Sequence, residues 1–184
     1  MILMNKLPYI KVHSTSTTQR ENVPSRYNVY MAMATLIAKR SKDPNTQVGA
    51  VIVSKYDRIL SIGYNGFPNR CSDKDFPWAR EAESEYDTKY PYVVHAELNA
   101  ILNFRGDTKA LEGSTLFVTL FPCRECTKAI IQSGISRIVY LENKYSNTDD
   151  YLEAKRMLDA AHITTLDYAY VEKELIEIGD SKPL

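Results

Sequence analysis

His95-Ala96-Glu97-Leu98-Asn99-Ala100 and Pro122-Cys123-Arg124-Glu125-Cys126 each open a helical pattern behind extended or loop-like chain. Each would therefore bring a helix N-terminus, with its free N–H groups and positive dipole end, towards one point. Cys123 and Cys126 are three apart, so they share a helical face and can reach a single ion. A helix N-terminus and a metal both favour the thiolate. His95 adds a ring nitrogen. Three such ligands suit zinc with a fourth position open to water, whose pKa the metal lowers to roughly 7. Glu97 follows the histidine closely enough to move a proton without binding the metal. A structural zinc would want a fourth ligand, which Cys71 or His162 would have to supply from distant parts of the chain. The open, catalytic arrangement is the better reading.

Outward from these stretches, strands and helices alternate. The run Tyr27 to Arg40 places Tyr30, Met33, Ala34, Ile37 and Ala38 at helical spacing behind Ser25, a cap residue. Gln47–Val53 and Ile59–Tyr64 read as a β-hairpin. Glu97–Phe104 is a short helix, Ser114–Leu120 a strand, and Cys123–Ser133 a helix closed by Gly134. A strand follows over 137–141, a helix over 151–161 and a possible last strand over 163–166. This order predicts an α/β fold with a mixed, roughly five-stranded sheet between helices, a three-layer α/β/α sandwich. From Asn65 to about residue 93 the periodicity dissolves among Gly, Pro and aromatic residues. A loop of that length is functional or disordered, and its aromatic content predicts an ordered insertion. The expected organisation is a flexible tail over 1–24 that contains a solvated His13, one domain over 25–168 with its insertion at 65–93, and an extension over 169–184.

The chain has 184 residues, 23 Lys plus Arg and 23 Asp plus Glu, for a formal net charge of zero. That balance offers no broad basic surface for a polynucleotide. Three cysteines do not make a disulfide framework. Without a signal-peptide pattern or a span-length apolar run, a soluble, cytoplasmic protein is expected.

H-x-E followed by P-C-x-x-C is the signature of zinc-dependent nucleobase deaminases, and the two opening stretches resemble the cytidine deaminase superfamily. Ser41–Ala50, Gly63–Pro68, Asp87–Tyr92 and Lys144-Tyr145 narrow the resemblance to the deoxycytidylate (dCMP) deaminases of eukaryotes and large phages, over about residues 27–166. That resemblance implies conversion of dCMP to dUMP, the precursor for thymidylate, in a homohexamer. It implies one catalytic Zn2+ per chain on His95, Cys123 and Cys126, with Glu97 as proton shuttle. Asn45 matches a sugar contact, the Ala96 N–H would face the base, and Tyr145 matches a substrate-contacting tyrosine. Arg40, Lys42 and Arg124 are the candidates for the 5′-phosphate, arginine suiting phosphate by its forked donors. Activity on dCTP or on free (deoxy)cytidine is the alternative.

The insertion resembles the part of the family that builds a separate site where dCTP activates and dTTP inhibits, with Mg2+ on the phosphates. Asn65, Gly66, Ser72 and Asp73 occupy the matching positions. Arg70 stands where the eukaryotic pattern more usually has glycine, and can either add a phosphate contact or obstruct the backbone's approach.

Overall fold

The computed structural model describes Thr17, Gln19 and residues 23–171. Most of the expected N-terminal tail, His13 included, and most of the C-terminal extension lie outside the described residues. Helix α1 spans Arg26–Ala38, and the Ser25 side chain caps it by accepting from the Asn28 N–H at 3.1 Å. Strands β1 (Gly49–Val53) and β2 (Ile59–Tyr64) form the hairpin, and α2 (Ala96–Asn103) follows the insertion. Then come β3 (Thr115–Leu120), α3 (Arg124–Gln132), β4 (Arg137–Glu142), α4 (Asp149–Ala160) and β5 (Thr164–Asp167). Gly134 takes a φ of +79° just past α3, the left-handed conformation that glycine adopts at a helix end without a Cβ penalty.

The sheet order is β2-β1-β3-β4-β5, with β1 antiparallel to both its neighbours and β3, β4 and β5 parallel. Alternation along the strands divides the core into two layers. Ala50, Ile52, Leu116, Val118 and Ile138 face Ala96, Ala100, Ile130 and Leu158 from the three later helices. Val51, Val53, Phe117 and Val139 face Tyr30, Met31 and Ala34 of α1. The helices therefore cover both faces, which gives the expected α/β/α sandwich. On α1, Met31 is more deeply buried than the expected Met33 and Ile37.

One close approach positions the site. A Cβ on Gly63 would lie 2.2 Å from the Ala96 carbonyl oxygen and 2.4 Å from the Ala100 nitrogen. Only glycine lets α2 seat so near β2, and Asn99 Nδ2 secures the pair by donating to the Tyr64 carbonyl at 2.7 Å.

The insertion is ordered, as its aromatic content predicts. The Phe67 and Trp78 rings are 4.2 Å apart between centroids, Phe67 and Phe76 5.4 Å, and Phe76 and Tyr92 5.1 Å. Gly66 and Val94 exchange both backbone hydrogen bonds and clasp its two ends. Arg70 holds a φ of +74°, so the conformation is one in which glycine would be at ease.

Candidate active site

Two helix N-termini meet as the spacing predicts: His95 is the cap position of α2 and Cys123 that of α3. The His95 side chain makes no capping bond to its own helix. Instead its Nδ1 lies 3.3 Å from Cys123 Sγ and 3.4 Å from Cys126 Sγ. Cys123 Sγ also accepts from the Cys126 N–H at 3.5 Å. The three ligand atoms lie within 4.8 Å of one another, a group that can hold a metal ion. Neither Cys71 nor His162 joins that group; His162 sits exposed in the turn after α4.

The electrostatics fit a cation. The thiol of Cys123 is pulled down to about 4, first by the Cys126 side chain bonded to it and then by His95, against the opposing effect of burial. Cys126 is pushed up, first because its thiol keeps its proton in the hydrogen bond to Cys123 and then by burial. His95 is raised to about 9, chiefly by its bond to Cys123. Without a cation the three groups hold protons between them, and zinc bound by two thiolates and an imidazole would displace those protons. The donor set therefore fits zinc.

Glu97, in the first turn of α2, is 4% exposed, and burial lifts its carboxyl to about 6 despite the opposing pull of His95. A carboxyl so placed can both accept and release a proton near neutrality.

His95, Glu97 and Cys123 line a cavity of about 310 Å³ at the carboxyl ends of β2, β3 and β4. That is the size of a small-molecule pocket, in the crevice where α/β sheets bind ligands. Ala96, Phe121, Asn143, Tyr145 and Tyr151 also line it. The insertion supplies Arg80, Lys89, Tyr90 and Val93.

The chain matches the family model "cytidine and deoxycytidylate deaminase zinc-binding region" over residues 24–142. It belongs to the cytidine and deoxycytidylate deaminase family. This deaminase is 50% identical to the deoxycytidylate deaminase of Homo sapiens over 135 residues, 73% of this chain and 75% of the relative. It is 55% identical to a probable deoxycytidylate deaminase of Drosophila melanogaster over 139 residues, 73% of this chain and 68% of the relative. Among solved structures it resembles the dCMP deaminase of cyanophage S-TIM5 in complex with dCMP and dUMP. The TM-score is 0.60 at 30% identity, over 76% of this chain and 93% of that one. Among the described residues of the deaminase, no helix is long and apolar enough to cross a membrane.

The structure redistributes several expected contacts. The three cations expected at the phosphate do not line the cavity. Arg124 donates from Nη1 to Glu153 at 2.8 Å and pairs with Asp150 at 3.6 Å, Lys42 pairs with Asp73, and the Arg40 guanidinium lies 6.0 Å from the Tyr64 ring centre. Asn45 is exposed and likewise outside the lining. Asn65, expected at a separate effector site, forms a wall of this cavity instead and is 5% exposed. Its Oδ1 accepts from the Val48 N–H at 2.8 Å, and its Nδ2 donates to the Thr46 carbonyl at 2.9 Å. Gly66 has its backbone committed to Val94, the Ser72 Oγ accepts from the Lys74 N–H, and Asp73 holds Lys42.

Sequence reasoning missed Asp43. It is 3% exposed and its carboxylate takes the N–H groups of Asn45 and Thr46, the Asn65 amide and the Lys89 ammonium. It also missed Asn143, whose buried Oδ1 has no partner among the described residues. The signal available for Arg80 and Lys89 was their position as cations inside a long ordered loop just before His95.

Proposed function

We propose that this deaminase hydrolyses dCMP to dUMP and ammonia, the reaction that supplies dUMP for thymidylate. The observation that carries the reading is a buried carboxyl, Glu97, beside a zinc-competent His-Cys-Cys group on the wall of a nucleotide-sized cavity. The 50% identity to deoxycytidylate deaminases supports the choice of substrate. Zinc bound at His95, Cys123 and Cys126 would supply an acidified water.

The chain's own groups do the rest. Glu97 takes the water's proton and passes it to N3 of the cytosine ring as the water oxygen bonds to C4. It then carries the second proton to the departing amine as the C4–N bond breaks, and water plus dCMP become dUMP plus ammonia. The free N–H of Ala96, at the first position of α2, orients the base. Tyr145 and Asn143, both on the lining, contact the nucleotide.

Activation by dCTP, inhibition by dTTP and a homohexamer remain part of the proposal. Ser72 and Asp73 are committed to local partners, so Mg2+ would arrive with the effector's phosphates rather than at a protein-built site. The test is ammonia release from dCMP, dCTP, CMP and deoxycytidine side by side, with and without added dCTP. Turnover highest on dCMP and stimulated by dCTP is the expected result. Preference for deoxycytidine or dCTP would overturn the substrate, and a velocity-versus-dCMP curve unmoved by dCTP would remove the regulation.

A further inference from the structure

The insertion does more than border the cavity. Lys89 N–H donates to the Ala79 carbonyl at 2.9 Å, which sets Arg80 alongside Lys89 and Tyr90, and the Trp78 ring rests on Phe67. Both Arg80 and Lys89 line the cavity, but their charges are not equally available. The Lys89 side chain is 8% exposed and bonded to an Asp43 side chain only 2% exposed, so its charge is already neutralised. Arg80 donates from Nε to a neutral phenol, Tyr90 Oη, at 3.3 Å and forms no ion pair with a carboxylate among the described residues. Its two terminal nitrogens, the forked end that suits a phosphate, have no hydrogen-bond or ion-pair partner among the described residues.

A nucleoside monophosphate brings two negative charges into this cavity, and Glu97 and Asp150 also line it. A cation has to meet the phosphate, and Arg124, Lys42 and Arg40 are engaged or turned elsewhere. We propose that Arg80 is the residue that binds the 5′-phosphate, and that through it the insertion selects a phosphorylated substrate over a free nucleoside. Tyr90 fixes the guanidinium plane through Nε, and the buried Lys89–Asp43 pair anchors the segment that carries both.

The inference rests on the substrate reading above, and one experiment separates the two. Zinc-loaded wild-type, Arg80→Gln and Arg80→Lys proteins are compared by kcat/KM on dCMP and on deoxycytidine, and by calorimetric binding of dUMP and deoxyuridine. For Arg80→Gln, the dCMP-to-deoxycytidine ratio of kcat/KM falls about 30-fold, as expected for losing a charge-assisted bond pair. Binding of dUMP weakens similarly relative to deoxyuridine, and Arg80→Lys recovers part of both. An unchanged ratio, or equal weakening of dUMP and deoxyuridine, overturns the role of Arg80 while leaving the substrate intact. A wild-type protein with no preference for dCMP over deoxycytidine overturns the substrate reading and the inference with it.

Discussion

The cavity has two walls built in different ways. On the metal side, the N-termini of α2 and α3 carry His95, Glu97, Cys123 and Cys126 on helices seated on the sheet, down to a glycine contact at Gly63. On the insertion side there is little regular structure, only a short 3-10 turn at Glu85–Asp87 and an aromatic cluster. Its two ends are clasped by the backbone bridge Gly66–Val94, and the buried pair Lys89–Asp43 holds it to the core. The metal wall is held by core packing. The insertion wall is ordered because a few polar groups are satisfied, so removing one of them costs more than its own contact. On the proposed reading, chemistry belongs to the packed wall and choice of substrate to the clasped one.

The comparison breaks first at Glu97. Glu97→Gln keeps the shape and removes the ability to take a proton, so kcat on dCMP should fall by about 10²–10⁴-fold. Zinc content, read by metal analysis, should stay at the wild-type level. Retained turnover would remove Glu97 from the proton path, and lost zinc would make it a ligand.

Next is the clasp. Lys89→Met leaves the Asp43 carboxylate buried without its cation, a change that costs about 3–5 kcal/mol when a buried pair is broken one-sidedly. Denaturant unfolding should show the loss, and amide exchange should quicken over residues 66–94 more than in β3 or α3. Combining it with Asp43→Asn should restore part of the stability, since the amide oxygen can still accept from Asn45 and Thr46. If exchange rises equally throughout, the insertion is not a separately held wall.

The same division explains what could be read from residues alone. Helices and strands are legible because apolar and β-branched runs such as Gly49–Val53 and Thr115–Leu120 stand between turn-rich stretches, and the metal group is legible because H-x-E and C-x-x-C each keep a short, fixed spacing although 28 residues separate His95 from Cys123. Boundaries move by a residue or two; α4 begins at Asp149 because Thr148, not read as a cap, accepts from the Tyr151 N–H. The insertion wall has no period to read. Asp43 before Pro44 reads as a turn former, and nothing local indicates a partner 46 residues on. Asn45 and Asn65 are both turn-like asparagines in the sequence, yet only Asn65 turns inward. Cations such as Arg124 suit a phosphate by type, but which is already paired depends on α4, whose acids Asp150 and Glu153 reach Arg124 only once α3 and α4 pack.

The smallest expected effect tests whether the far layer is independent of both walls. Tyr30 lies on the α1 face, and its hydroxyl donates to Asp57 Oδ1 at 2.6 Å. Burial first, and then that bond and the Asp57 charge, raise the phenol from 10.0 to about 12. A group whose folded pKa lies above its unfolded value contributes stability that is complete below about pH 10 and is lost as pH rises towards 12, because the unfolded chain releases the proton first. Tyr30→Phe should therefore lower stability by about 1 kcal/mol at pH 8, with the difference from wild type shrinking between pH 10 and 12 in denaturant titrations. Turnover of dCMP and the dCMP-to-deoxycytidine ratio should not move. A change in that ratio would mean that the α1 layer reaches the cavity through β1, and that packing across the sheet, not the clasp alone, sets the insertion wall.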